Sequence, residues 1–296
     1  MDINKTNMSA LFTAYLKDFK DAYATRPNEY QSYTMTQGIN ATTLELPFLE
    51  AFAGMREWIG PRQVKDLASQ KVVYKEKSFE ETVSVPVRDI ETDAFALYSV
   101  MIAQMADAAA DQRGINALEA LTTNDTWIDG VAFYSAAGRS YGSNVISNYG
   151  TGALTDIVFN AAYLAMTTYK GHNDKLLNSK PNVMRVGAAN RTTAWNILKN
   201  QFAYDATAKV QIKNVNEGIV DLVVDPMISG TNWYLMNTTG RIKPVFQNVP
   251  KAATLISKTR LDDENVFEED KFVYGTTLRT ATGKTFPHLV YWGTGA

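Results

Sequence analysis

The chain has 296 residues, 45% of them hydrophobic, with 29 basic and 31 acidic side chains. Its near-neutral balance, with no basic tail or stripe, argues against sequence-specific nucleic-acid binding as the main activity. With no cysteine present, disulfides, zinc-thiolate sites and cysteine nucleophiles are excluded. No apolar run reaches the ~20 residues needed to cross a bilayer, and the N-terminus lacks the order of a secretory signal. No membrane association is expected, and folding in a cytoplasm is the simple inference.

Residues 4–23 predict an amphipathic helix. Met8, Leu11, Phe12, Tyr15, Leu16, Phe19 and Tyr23 follow the helical period, Lys17, Asp18, Lys20 and Asp21 take the other side, and Pro27 closes it. Burying that stripe is worth on the order of 10 kcal/mol, so it must cover its own body or another copy. Residues 28–46 read as an extended arm, and 55–70 as short helical turns interrupted at Gly60–Pro61. Lys71–Glu76 and Phe79–Arg88 read as the two strands of a hairpin. Between Arg56 and Glu91 lie seven basic and seven acidic residues, denser than the chain's 20% average. A two-stranded hairpin is marginal alone, so an extended loop laid over a neighbouring subunit competes with a solvated surface hairpin.

Asp93–Leu121 predicts one long helix, roughly 40 Å at 1.5 Å per residue. Its apolar positions are Leu97, Tyr98, Met101, Ile102, Met105, Ala109, Leu118 and Leu121, and Gly114 suggests a kink. Thr122–Gly152 is too long for an ordinary connection and predicts short strands or a surface excursion. Thr155 can cap a second helix with Ile157, Val158, Ala161, Leu164 and Ala165 inward, ending near Gly171. Asn182–Val186 then predicts a strand, Asn190 the cap of a helix carrying Trp195 and Leu198, and Gly218–Val224, Asn232–Met236 and Ile242–Gln247 three further strands. An acidic run, Asp262–Asp270, precedes strands at Lys271–Thr280 and Pro287–Trp292. Without a strict βαβ repeat, the class is α+β.

No active site assembles from these residues. His172 and His288 lack a second histidine at metal-ligand spacing and read as structural. Gly283-Lys284-Thr285 resembles the end of a phosphate loop, but Leu278 stands where the first glycine is required, so Gly283 reads as a turn between strands. Asn124, Asp125, Asp129 and Gly130 have the wrong spacing for a calcium loop, and the acidic run reads as a solvated turn. No catalytic residue, metal or cofactor is expected.

Several stretches carry a resemblance. Met55-Arg56-Glu57-Trp58-Ile59-Gly60 is followed by Val87-Arg88-Asp89-Ile90-Glu91-Thr92-Asp93, then Asp129-Gly130-Val131-Ala132-Phe133-Tyr134. Trp233-Tyr234-Leu235-Met236-Asn237-Thr238, Ile242-Lys243-Pro244-Val245-Phe246-Gln247 and Phe272-Val273-Tyr274-Gly275 with Arg279 complete the set. In this order, over roughly residues 50–296, the chain resembles the major head (capsid) subunit of Mu-like tailed phages and prophages. The ending Phe286-Pro287-His288-Leu289-Val290-Tyr291-Trp292 departs from the more usual aromatic-Gln ending.

The resemblance implies the tailed-phage major capsid fold of the Hong Kong 97 type. It divides the chain into an N-terminal arm (1–50), an extended loop hairpin (51–92), a peripheral domain with a long spine helix (93–180 and 251–284) and an axial domain (181–250 and 285–296). It implies a homo-oligomer of hexamers and pentamers closing an icosahedral head around double-stranded DNA. A separate scaffold and maturation protease, assembly in the host cytoplasm and residence in the virion follow from it. The expected inter-subunit contacts are Phe12, Tyr15 and Phe19 on the first helix and Arg62, Lys71, Lys75, Glu76, Lys77, Glu80, Glu81 and Arg88 around the charged hairpin. The alternatives are an α+β small-molecule enzyme with an unrecognised site, or the shell of a cellular protein compartment.

Overall fold

The structure, a computed structural model, describes residues 3–47, 71–92, 95–141, 143–171, 174–205, 210–260 and 262–295. The expected helical turns at 55–70, Arg62 and His172 lie outside them. The first helix, α1 (Lys5–Thr25), starts where the Asn4 side chain accepts a hydrogen bond from the Asn7 amide at 2.8 Å, satisfying one orphan donor of the first turn. A short 3-10 turn, β1 (Thr34–Gln37) and β2 (Thr43–Pro47) follow. Next come β3 (Lys71–Lys75), β4 (Lys77–Pro86), α2 (Val87–Glu91) and the 28-residue α3 (Phe95–Thr122).

Three short strands succeed α3: β5 (Arg139–Tyr141), β6 (Asn144–Ile146) and β7 (Tyr149–Gly150). They occupy the stretch expected to be an excursion with short strands. Then come α4 (Asp156–Thr168), β8 (Val183–Val186), α5 (Arg191–Leu198), β9 (Phe202–Asp205), β10 (Val210–Lys213), β11 (Asp221–Val224) and β12 (Trp233–Met236). The chain closes with β13 (Val245–Lys258), α6 (Glu264–Glu269), β14 (Lys271–Lys284) and β15 (Val290–Gly293).

Two sheets organise these pieces. A four-stranded sheet has the order β1-β13-β14-β4, and a five-stranded sheet has the order β11-β8-β12-β15-β7. The β13–β14 ladder runs from Val245 opposite Lys284 to Lys258 opposite Val273, with register shifts on either side of Lys251; such irregularities bend a strand. The acidic run supplies the turn: α6 ends at Asp270 in the left-handed conformation, φ 52°, one that Asp tolerates better than most residues.

The charged hairpin is wired differently from the sequence expectation. Strands β3 and β4 do not pair with each other. β3 pairs antiparallel with β2, from Thr43 opposite Lys75 to Pro47 opposite Lys71, while β4 pairs along its whole length with β14. The alternation in Phe79–Val87 marks an edge strand of the main sheet whose inner face packs on the core shared with α1 and α3, not one arm of a free hairpin. β2 and β3 form a two-stranded ribbon of their own, with Leu44 and Tyr74 buried against Phe246 and Ala281.

α1 lies against α3 and the four-stranded sheet. Met8, Leu11, Tyr15 and Phe19 join Val85, Ile90, Tyr98, Ile102, Met105, Phe272 and Tyr274 in one core. Tyr15 and Phe19 are each 1% exposed, so they are core residues of their own subunit and not open contact residues. Phe12 is partly buried against the same cluster.

The long helix runs unbroken through Gly114, where a Cβ would meet the Tyr30 ring at 3.3 Å. The glycine leaves room for that ring. Leu97 and Met101, expected inward, are exposed.

The second core lies on one face of the five-stranded sheet, where Met184, Val186, Trp233 and Leu235 meet Phe159, Ala162 and Met166 of α4 and Ala194, Ile197 and Leu198 of α5. Thr155 caps α4 as expected, accepting from the Val158 amide at 3.3 Å. The inward face differs: Ile157 and Leu164 point to solvent. Asn190 precedes α5 without capping it through its side chain, whose amide donates to the Thr231 carbonyl instead. α4 and β7, expected in the peripheral division, pack with this sheet. Gly283, expected in a turn, lies in β14 opposite Phe246.

Candidate interaction surfaces

The ribbon of β2 and β3 is fixed at its root. Tyr74 is buried, its ring lies 5.1 Å from that of Phe246, and its hydroxyl donates to the Lys284 carbonyl at 2.7 Å. A Cβ at Gly283 would lie 2.4 Å from that ring, so glycine is required there by close approach. A cleft of about 650 Å³ opens beside the root, lined by Lys75, Lys77, Glu119, Asp125, Trp127 and Lys284 among others.

The charged residues expected to touch neighbours divide into two groups. Glu76 is held internally, its carboxylate 3.2 Å from Arg279 and only 7% exposed. Lys77 lies 3.5 Å from Glu119 on the surface, and Glu80 accepts from Thr82 Oγ1 at 2.9 Å. Lys75, Glu81 and Arg88 are exposed, Arg88 with its nearest carboxylate, Asp89, at 4.0 Å. Lys71 pairs through its backbone with Pro47. The structure therefore gathers Lys75 and Lys77 at the ribbon root, runs Glu80 and Glu81 along β4, and keeps Tyr15 and Phe19 inside.

Three buried cations among the described residues, Arg139, Arg185 and Lys284, were not singled out as functional by sequence reasoning; Arg139 pairs with Asp129 at 2.7 Å. The Lys284 side chain is 6% exposed; its ammonium donates to Thr123 Oγ1 at 3.1 Å, sits 5.2 Å from the centre of the Phe133 ring and lies 3.8 Å from Asp125. Burial lowers its pKa to about 8, with Asp125 opposing the shift. Arg185, in β8, pairs with buried Asp225 and stacks over Tyr33 at 4.6 Å. That contact clamps the segment after α1 onto the five-stranded sheet. Lys284 stood inside the Gly-Lys-Thr run, but its role depends on Thr123 and Asp125, over 150 positions away in sequence.

Among the described residues no group of three His, Asp or Glu side chains could hold a metal ion. The ring of His288 stacks on Phe286 at 5.4 Å and its Nδ1 is sealed without a hydrogen-bond partner; burial lowers its pKa to about 4. No helix among the described residues is long and apolar enough to cross a membrane. What the surface offers instead is bare apolar area, on α4, on α5 at Trp195 and on the β9–β10 pair.

Such a surface, with charged ribbon and unpartnered apolar faces but no reactive cluster, suits contacts between chains. The family described as the Mu-like prophage major head subunit gpT matches residues 8–152 and 225–295, well over half of the sequence. The chain belongs to this family. The major capsid protein of Escherichia phage Mu is 22% identical over 290 residues, covering 97% of this chain and 73% of its own length. The Mu-like prophage FluMu major head subunit of Haemophilus influenzae is 22% identical over 286 residues, covering 96% and 72%.

Among solved structures, a chain of the procapsid of bacteriophage JBD30 superposes with a TM-score of 0.64 at 24% identity, covering 98% of this chain and 75% of that one. The fold is thus the tailed-phage major capsid fold expected from the resemblance. This head subunit is a structural capsid protein and not an enzyme, which removes the small-molecule alternative.

Proposed function

We propose that this subunit assembles as hexamers and pentamers that close into an icosahedral phage head enclosing double-stranded DNA. The family match over the four-stranded sheet and over β7, β12 and β15 of the other carries the reading, and the surface is consistent with it. A net charge of −2 suits a wall that encloses DNA without gripping it, since tight DNA binding needs many Lys and Arg contacts to phosphate. In this reading the region around α3 and the four-stranded sheet is peripheral, and the five-stranded sheet lies toward the ring axis. The ribbon of β2 and β3 reaches over a neighbour, with Lys75, Glu80, Glu81 and Arg88 among the contacts between subunits. A separate scaffold and a maturation protease act on the shell during assembly in the host cytoplasm.

Electron microscopy of the chain expressed with its neighbouring head genes tests this directly. Closed particles with five- and six-fold capsomers, holding nuclease-protected DNA when packaging is present, are expected. A chain that stays monomeric under every assembly condition overturns the reading. Particles filled with protein cargo instead of DNA overturn its nucleic-acid part.

A further inference from the structure

α4 is apolar on both sides. Phe159, Ala162 and Met166 enter the core, while Ile157 and Leu164, seven positions apart on the opposite side, are 81% and 62% exposed. A helix apolar all round is normally covered all round. The β9–β10 pair is the complementary oddity: two short strands in a sheet of their own, with Phe202 55% exposed. Such a pair is marginal in water without something to pack on.

The topology places these two surfaces on opposite flanks. α4 packs at the β15 end of the five-stranded sheet, while α5, which leads directly into β9, packs at the β11 end. Charge follows the same pairing. Asp156 adjoins Ile157 at the start of α4, and Lys213 stands opposite Phe202 in the β9–β10 register. Both are exposed, and neither has an ion-pair partner among the described residues. Opposite residues in an antiparallel pair share a face, so Phe202 and Lys213 are presented together, while on α4 Asp156 stands in the same first turn as Ile157.

We infer that the β9–β10 pair of one copy seats on the outer face of α4 of the next copy, with Phe202 against Ile157 and Leu164 and Lys213 toward Asp156. Two different patches on opposite flanks make a head-to-tail contact, the kind that generates rings when the rotation closes. The inference rests on the ring-forming reading above and specifies which surfaces make the ring. Both patches come from the stretch between the two family-matched blocks, 153–224.

The absence of natural cysteine makes the test clean. A chain carrying Leu164→Cys and Phe202→Cys, assembled and then oxidised, gives a ladder of covalent multimers under denaturing, non-reducing conditions. Chains carrying one substitution each give a two-chain band only when mixed. Both sites are surface positions, so the fold is not at stake; in a second arm, Leu164→Arg leaves thermal unfolding unchanged and weakens the subunit contact at least about tenfold, the order expected from losing one large buried side chain. Assembled particles without cross-links overturn the inference while leaving the shell reading intact. A dimer from Leu164→Cys alone shows α4 meeting α4, which overturns it too. A wild-type chain that forms no particles overturns the shell reading itself.

Discussion

α1 and α4 make an instructive pair, because the sequence picks out the inward face of the first and not of the second. On α1 the apolar residues occupy one stripe and the far side is charged, so its inward face was evident, and what it covers proved to be its own subunit. α4 has a single charged residue, Asp156, so every turn offers an apolar candidate and the period alone cannot choose a side. The side with Phe159 and Met166 went inward, leaving Ile157 and Leu164 bare. Amphipathicity thus identifies a face that one fold can satisfy; apolarity all round identifies a helix that needs a second body.

That contrast can be broken by mutation. Phe19→Ala is expected to cost about 3–5 kcal/mol, the usual range for emptying a buried aromatic site, read by urea unfolding of the unassembled chain. A small loss of stability with a collapse of assembly would return α1 to the interface. Asp225→Ala is expected to cost a comparable ~3–5 kcal/mol, since it strands the Arg185 guanidinium in the interior; Arg185→Leu with Asp225→Leu should recover much of it.

A pH series probes the covered part of the molecule further. His288 is held neutral, with a folded pKa of about 4 against 6.5 when unfolded. The unfolded chain therefore takes up the proton first, and stability present above about 6.5 is lost as the pH falls toward 4. In His288→Leu that portion of the acid slope should vanish, as thermal melts across the series would show. The smallest effect on folding belongs to Ile157→Ser, expected within about 0.5 kcal/mol of wild type, yet with fewer particles on a sizing column. A large loss of stability there would mean that α4 is covered by its own chain.

Much of the architecture was legible from residue pattern. The long helix, the Thr155 cap and the short strands before it, and β8, β11, β12 and β15 fall where periodicity and turn chemistry put them. What escaped was pairing. Alternation along Phe79–Val87 reveals a strand but not its partner, and nothing local to β4 says that it lies on β14, nearly two hundred residues on. The same holds for the charged side chains. Glu76 looks like its exposed neighbours until Arg279 covers it, and Lys284 looks like part of a turn until Thr123 and two aromatic rings close over it. Side chains whose role depends on distant partners cannot be told from solvated ones by composition.

The notch at Gly283 has a mechanical consequence. Tyr74 is riveted there, by its ring in the notch and its hydroxyl on the Lys284 carbonyl, and Leu44 and Val72 of the same ribbon pack beside it on Phe246 and Ala281. A shift of that ring is passed to both strands, which are paired from Thr43 opposite Lys75 to Pro47 opposite Lys71. Even a methyl group at position 283 would therefore disturb two strands to which it does not belong.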